Sequence, residues 1–310
     1  MKQTIVVIAG PTAVGKTAIS IEVARRIKGQ IVSCDSMQLY KFMDIGSAKP
    51  TKAQLAMVPH HLIDAIDPKE PFSVVRYQQL AKASIKQIFY QNQVPVITGG
   101  TGLYLNSLLY DMDFGANPGD SIFREQLFEL AETQGNDVLF ARLKELDQAA
   151  AERIHPNNVK RVVRAIEAVH FNGTGLGDFG SVNQKTKDYE AILIGLTRDR
   201  AELYQRIEDR VDLLLESGLL EEVKFLKNMG FSSDDISMKG IGYKELLDYL
   251  DGEYDLPTAI DLIKKNTRHY AKRQMTWFKR YPEMEWFNLS EDRTEEESLE
   301  KIVSWLNKRK

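Results

Sequence analysis

The sequence predicts an α/β fold, a parallel sheet flanked by helices and interrupted by a mostly helical insertion, and three observations carry that prediction. Short apolar, β-branched runs alternate with helical apolar stripes up to about residue 113, as strands buried on both faces and their crossover helices do. The first run ends in Gly10-Pro11-Thr12-Ala13-Val14-Gly15-Lys16-Thr17, which fits the phosphate-loop pattern G-x-x-x-x-G-K-[ST] at every fixed position. From about residue 114 the rhythm stops, and charged helical segments replace it until strand character returns at Ala191. The expected architecture is a P-loop NTPase-like core over residues 1–113 and 186–310, with a helical insertion domain over 114–185.

Thr4-Ile5-Val6-Val7-Ile8-Ala9 reads as the first strand. Ile19, Val23 and Ile27 then recur at helical spacing, with Gly29 expected as the helix C-cap. In the loop between them, backbone N–H groups curl around phosphate oxygens, Lys16 reaches the outer phosphate as a point charge, and the Thr17 hydroxyl is placed to hold Mg2+. The motif thus nominates Gly10, Thr12, Ala13, Gly15, Lys16 and Thr17 for a diphosphate, with Thr17 as the metal-holding residue. It specifies no nucleoside.

Gln30-Ile31-Val32-Ser33-Cys34 reads as the second strand and runs straight into Asp35-Ser36-Met37-Gln38-Leu39-Tyr40. Ligands of open parallel sheets bind outside the carboxyl ends of the strands, which puts Asp35 beside the phosphate loop. Two readings stand for it: a group that does chemistry, or a turn aspartate bonded to its own backbone. Asp44 to Pro50 is a loop by its Gly and Pro content, and Pro59 to Asp64 a further connection. Ser73 is expected to cap a helix whose stripe is Val74, Tyr77, Leu80, Ala81, Ile85, Ile88 and Phe89, its aromatic members belonging to the core.

Val94-Pro95-Val96-Ile97-Thr98 is the next strand, followed by Gly99-Gly100-Thr101-Gly102-Leu103-Tyr104. It lacks the acidic end that supports Mg2+ in many ATP-using phosphate-loop proteins, which argues against a motor-type ATPase. Its glycines predict close backbone approach to a ligand, with the Thr101 hydroxyl in the same cleft.

The insertion ends in a helical segment where Lys160 and Arg164 share a face, read either as a solvated face or as a surface for an anionic partner, and then in a glycine-rich break at Gly173 to Gly180. After a strand at Ala191 to Leu196 the rest reads as helical. Asp199-Arg200 opens a helix carrying Arg206 and Arg210 and closing near Gly218, and Lys239 to Glu245 is a tight loop entering another helix. Lys264, Lys265, Arg268, Lys272, Arg273, Lys279 and Arg280 follow with no acidic residue among them and with Tyr270, Trp277 and Phe278 interleaved. That segment either neutralises phosphates and stacks on bases or is a helix with one core face. Glu295 to Glu297 read as a solvated helix face.

Composition bounds the partners. With 310 residues and 43 % hydrophobic content the chain is globular rather than disordered, and a formal charge of -3 confines any nucleic-acid site to a local basic patch. The single cysteine, Cys34, permits neither an internal disulfide nor a cysteine-based zinc site and fits a reducing compartment. No apolar run suits a signal peptide or a membrane span, so the expectation is a cytoplasmic protein without a membrane partner. His60, His61, His155, His170 and His269 have no metal-ligand spacing and read as surface or capping groups.

Taken together, GPTAVGKT at 10–17, DSMQLY at 35–40, DIGSAKP at 44–50, TGGTGLY at 98–104, HPNNVKRVVRAIE at 155–167, KGIGYKE at 239–245 and YAKRQMTWFKR at 270–280 resemble the tRNA dimethylallyltransferase (tRNA isopentenyltransferase) family in its bacterial form. The resemblance covers nearly the whole chain. It implies transfer of a dimethylallyl group from dimethylallyl diphosphate to the exocyclic N6 amine of the adenosine 3′-adjacent to the tRNA anticodon, with release of diphosphate and with Mg2+ as cofactor.

The resemblance makes Asp35 the general base for the amine, sets Thr101 near the reacting centre and adds Arg210 as a second positive contact to diphosphate. It assigns Ser36, Met37 and Gln38 to the extruded adenosine and its surroundings. It assigns Lys160, Arg161, Arg164, Lys272 and Arg273 to the tRNA backbone, so that the insertion grips the anticodon stem-loop. No obligatory protein partner is implied. Ser47 stands where the family often has Thr, which keeps the hydroxyl, and the zinc-finger extensions of eukaryotic members are missing.

Three other readings compete. A small-molecule or nucleotide kinase would turn over ATP with a metabolite and ignore dimethylallyl diphosphate. A non-catalytic RNA-binding module would hold tRNA after Asp35→Ala and form no product. A relative that prenylates free adenine nucleotides would need neither the insertion nor the basic helix.

Overall fold

The computed structural model describes residues 3–70, 72–112, 121–172 and 184–309. Among them, strands β1 (Thr4–Ala9), β2 (Gly29–Ser33), β3 (His60–His61), β4 (Val94–Gly99), β5 (Glu190–Thr197) and β6 (Glu285–Asn288) form one parallel sheet in the order β3-β2-β4-β1-β5-β6. Helices α1 (Lys16–Arg26), α2 (Lys52–Met57), α3 (Val74–Tyr90) and α4 (Gly102–Leu109) accompany the first four strands. Helices α5 (Ser121–Gln134), α6 (Asn136–Leu146), α7 (Gln148–Ala151) and α8 (Val159–Asn172) precede β5. Helices α9 (Arg200–Glu216), α10 (Leu219–Asn228), α11 (Tyr243–Leu250) and α12 (Leu256–Phe278) precede β6, and α13 (Glu295–Asn307) follows it.

The chain divides into two compact units, Met1–Leu109 with Thr186–Lys310, and Tyr110–Lys185. The expected boundary at 113/114 and the glycine-rich stretch 173–180 lie outside the described residues.

In the first unit β1 is central, with Ile8 opposite Thr98 of β4 on one side and Ile194 of β5 on the other. Ile5, Val6, Val7 and Ile8 are all buried, so the strand shows no polar alternation: both faces of the sheet are covered. Each such side chain contributes about 1.5–3 kcal/mol by leaving water. Ser73 caps α3 by accepting a hydrogen bond from the Arg76 N–H, and Tyr77, Ala81, Ile85 and Ile88 form its buried stripe. Tyr77 also donates to the Ser33 carbonyl and stacks on Tyr104 at 4.0 Å, which makes it core, as its place in the stripe predicts.

In the second unit α5 to α8 enclose their own core, with Leu127, Leu139, Leu143, Val162, Val163 and Ile166 buried. Helix α8 turns Val162 and Val163 inward and leaves Lys160, Arg161 and Arg164 exposed. A bridge between Tyr110 and Lys185 closes the base of this unit.

Four expectations need correction. Helix α1 ends at Arg26 with Ile27 as its C-cap, and Lys28 takes the left-handed turn at φ 54, so Gly29 is no C-cap; it opens β2, where a Cβ would stand 2.6 Å from the Val94 carbonyl oxygen. The stretch after residue 199 is not wholly helical: Glu285-Trp286-Phe287-Asn288 pairs with β5 as an edge strand too short to show a period. His60 and His61 form β3 rather than acting only as surface or capping groups, His61 bonding Gln30 at 2.7 Å. Glu295 is not merely a solvated face, because its carboxylate lies 3.5 Å from Arg198 and 3.9 Å from Arg206.

Candidate active site

A cavity of about 760 Å³ opens in the first unit, lined by residues that follow β1, β2 and β4 and by residues of α9 and α12. This is where open parallel sheets bind ligands, and it contains the phosphate loop.

The loop is drawn tight by cations that take its carbonyl oxygens. Lys16 Nζ donates to the Gly10 and Pro11 carbonyls at 3.0 and 2.8 Å. Arg206 Nε donates to Ala13 O at 3.0 Å, and the buried Arg198 donates from Nε to Val14 O at 3.0 Å. Ala13 sits at φ 63 and Gly15 at φ 109, left-handed positions that turn the chain sharply into α1, whose first-turn N–H groups face no intrahelical acceptor. With its carbonyls occupied and its helix end positive, the loop is built to receive an anion.

Charge in the cavity is closely coupled. Desolvation lowers the Lys16 ammonium to about 8, with Asp35 opposing that shift and Arg210 adding to it. Burial likewise pulls the Arg210 guanidinium below its ordinary value, against the pull of Asp35. Asp35 therefore acts on both cations across the same space. One of its oxygens, Oδ1, accepts from the Met37 N–H at 2.9 Å, so Asp35 is a turn aspartate, and it also lines the cavity.

The loop after β2 is held by side chains rather than by charge. The Ser36 N–H donates to Thr101 Oγ1 at 3.0 Å, and the Thr101 N–H to the Cys34 carbonyl at 3.1 Å. Ser33 Oγ donates to Gln38 Oε1 at 3.0 Å, and Gln38 Nε2 reaches the Ala48 carbonyl at 3.4 Å. The 44–46 backbone is clamped in turn by Glu222, whose carboxylate accepts from the N–H groups of Asp44, Ile45 and Gly46 at 2.8, 2.7 and 3.0 Å and from the Tyr243 hydroxyl at 2.7 Å. Burial pushes the Cys34 thiol up to about 12, which keeps it protonated and inert.

Helix α12 supplies the remaining wall with Tyr270, Arg273 and Gln274. Gln274 is buried, accepts from the Thr12 N–H at 2.8 Å and donates to the Gly100 carbonyl at 3.0 Å. The donor that Thr12 retains for a ligand is therefore its hydroxyl. The close approach expected of the Gly99 to Gly102 backbone is made to protein: a Cβ on Gly100 would meet Gln274 Nε2 at 2.1 Å. Thr101 likewise does not line the cavity but stands behind Ser36.

Of the residues nominated from sequence, Thr12, Ala13, Gly15, Lys16, Thr17, Asp35, Ser36, Met37, Gln38, Arg210 and Arg273 come together on this cavity. Gly10 supports it through its carbonyl. Lys272 is exposed and off the cavity wall, and Lys160, Arg161 and Arg164 belong to the other unit. The basic segment of α12 is partly neutralised by α9, where Lys264 pairs with Asp212 and Arg268 with Glu208, both at 2.7 Å. Sequence reasoning missed the supporting roles of Arg198, Arg206, Tyr270 and Gln274. A buried glutamine in the middle of a basic stretch leaves no local signal.

Comparison with known proteins finds this chain similar to tRNA prenyltransferases. The IPP transferase family model matches residues 38–281. A curated tRNA dimethylallyltransferase of Alkaliphilus metalliredigens is 49 % identical over 98 % of this chain and 97 % of its own length. The crystal structure of full-length tRNA isopentenylpyrophosphate transferase from Bacillus halodurans is 40 % identical, covers 99 % of this chain and 96 % of its own, and superposes with a TM-score of 0.75. A eukaryotic dimethylallyltransferase solved acting on tRNA is 27 % identical over 93 % of this chain and 74 % of its own, with a TM-score of 0.79.

Proposed function

The chain belongs to the IPP transferase family, and on that premise we propose that it moves a dimethylallyl group from dimethylallyl diphosphate to the exocyclic N6 amine of the adenosine 3′-adjacent to the tRNA anticodon, releasing diphosphate. It is a tRNA-modifying prenyltransferase. The observation that carries the finer reading is the juxtaposition of Lys16, Arg210 and Asp35 on one cavity wall system, a diphosphate site next to a carboxylate.

The chemistry follows from charge. As the allylic carbon–oxygen bond breaks, negative charge collects on the leaving diphosphate, where Lys16, Arg210 and the helix-end N–H groups stabilise it more strongly than in the intact substrate. The new bond forms between the adenosine N6 and the allylic carbon, and the amine proton passes to the Asp35 carboxylate as the general base. To reach it the base must leave the anticodon stack. Ser36, Met37 and Gln38 border the acceptor side, and the exposed Lys160, Arg161, Arg164, Lys272 and the cavity-lining Arg273 are the cations offered to the tRNA backbone.

Mg2+ suits the donor set. Among the described residues no group of three His, Cys, Asp or Glu side chains could hold a metal unaided, whereas Thr17 lines the cavity and its hydroxyl would hold the ion together with oxygens of the diphosphate. Bound there, the ion would supply neutralisation of the leaving group's charge. No helix of the described residues is long and apolar enough to cross a membrane, and a cytoplasmic setting accords with a tRNA substrate.

The test is incubation of the protein with Mg2+, dimethylallyl diphosphate and unmodified tRNA bearing adenosine 3′ of the anticodon, followed by mass spectrometry of the nucleosides. One dimethylallyl group gained on that adenosine is the expected outcome. Absence of product alongside ATP turnover with a metabolite would overturn the reading.

A further inference from the structure

The diphosphate and acceptor sides of the cavity belong to different loops, yet bond formation requires their reacting atoms to be in register. One side chain ties the phosphate loop to the turn that stands behind the acceptor loop. Gln274, on α12 and 4 % exposed, accepts through Oε1 from the N–H of Thr12 in the phosphate loop and donates through Nε2 to the carbonyl of Gly100 in the loop after β4. Its amide orientation is fixed by chemistry, because an N–H can only donate and a carbonyl can only accept.

The second loop continues directly to the acceptor side. Thr101, next to Gly100, accepts from the Ser36 N–H adjoining Asp35. Tyr270, one turn before Gln274 on the same helix, lines the cavity beside it. Hydrogen bonds from Thr12 through Gln274 to Gly100, the peptide link to Thr101 and the bond from Ser36 therefore form one connected path. A Cβ at position 100 would overlap Gln274 Nε2 at 2.1 Å, so the close seating of the bridge depends on Gly100.

We propose that Gln274 is a positioning residue for the transfer: it fixes the phosphate loop against the Gly100–Thr101 turn and so sets the distance between the allylic carbon and the amine presented at Asp35. This rests on the assignment of diphosphate to the phosphate loop and of the amine to Asp35. Gln274 touches neither reacting atom in this role. Its contribution is to a near-attack geometry, where a displacement of about 1 Å can cost on the order of a hundredfold in rate.

Gln274→Met keeps the length and removes both hydrogen bonds. The expected result is a turnover number at saturating substrates reduced by roughly 10- to 100-fold, with the dissociation constants for dimethylallyl diphosphate and for tRNA each within about threefold of wild type. Gln274→Glu supplies a readout that simple structural damage would not move. Its carboxylate still accepts from Thr12 but opposes the Gly100 carbonyl, and on protonation it regains an O–H donor for that carbonyl.

Lys16, Asp35 and Arg273 line the same cavity in variant and wild type. Burial at this position raises a carboxylate's pKa, so the ratio of Gln274→Glu to wild-type turnover is expected to rise as the pH falls below neutrality. A Gln274→Met turnover within twofold of wild type overturns the inference, as does a loss lying wholly in the KM of one substrate, or a Gln274→Glu ratio flat with pH. Wild-type protein that makes no prenylated tRNA overturns the functional reading and this inference with it; an active wild type beside an equally active Gln274→Met overturns the inference alone.

Discussion

Two walls of one cavity are built from opposite materials. The phosphate loop is a stretch of backbone whose carbonyls are held by Lys16, Arg198 and Arg206, so its stability and its purpose are both electrostatic. The loop after β2 is held by neutral bonds among Ser33, Ser36, Gln38 and Thr101, with Glu222 gripping the neighbouring turn from α10. The difference matches the ligands. A diphosphate is recognised by charge and tolerates a flexible cation, whereas a flat, nearly neutral base is recognised by shape and needs a framework with little freedom.

If that contrast is right, a single change on the neutral wall should produce the largest loss of rate with the least loss of binding. Asp35→Ala is expected to lower turnover by about 10² to 10⁴-fold while tRNA affinity stays within about threefold. Single-turnover kinetics with separate binding titrations check this, and turnover within threefold of wild type would remove Asp35 from the base role.

The electrostatic wall should answer to pH. In the free protein Lys16 titrates at about 8, so it carries its charge below that value and loses it above. Metal-free affinity for dimethylallyl diphosphate is thus expected to be full below pH 8 and to fall up to about tenfold per pH unit above it. Binding near pH 8 should also take up protons, visible by calorimetry in buffers of differing ionisation heat. Lys16→Met should bind weakly at every pH with no such slope; an unchanged slope in that variant would assign the titration to another group.

Arg206→Ala leaves the Ala13 carbonyl without its guanidinium and exposes a left-handed turn to relaxation. A rise in the KM for dimethylallyl diphosphate of roughly tenfold or less, with a smaller change in turnover, is expected from the loss of one charge-assisted hydrogen bond. Steady-state kinetics varying each substrate in turn decide it, and an effect confined to the KM for tRNA would break the division between the walls. The smallest effect belongs to Lys272→Ala, on the exposed side of α12. It should weaken tRNA binding a few-fold and reduce its salt dependence by about one unit of log–log slope or less. Fluorescence titrations at several salt concentrations measure that, and an unaltered slope would make Lys272 a bystander.

How much of this was legible depended on how local the signal is. The phosphate loop, β1, β4 and the Ser73 cap announce themselves within a few residues, because backbone conformation and immediate neighbours determine them. Asp35 could be placed from the rule that sheet ligands bind at carboxyl ends, although its bond to Met37 kept the plainer reading alive. Arg198 and Arg206 contact carbonyls more than 180 positions earlier in the chain, and Gln274 bridges loops 262 and 174 positions away. No window of sequence contains both partners. Strand β6 escaped notice because four residues on an edge need satisfy only one neighbour. The partial neutralisation of the α12 basic stretch was hidden for a related reason: the acids that pair with Lys264 and Arg268 lie on α9.

The strand order also constrains how the chain acquires its shape during synthesis. β1, the central strand, has β4 and β5 as its neighbours, so the first strand to leave the ribosome is left with one open side until residues through Thr197 have emerged. At translation speeds of roughly 5–20 residues per second, that side stays open for several seconds after β4 has appeared. Helices α5 to α8 emerge in that interval and make contacts close in sequence, which form fastest. A nascent chain of this protein thus has one unit able to fold early while an apolar strand waits for its partner, and that interval is when chaperone engagement or aggregation would act.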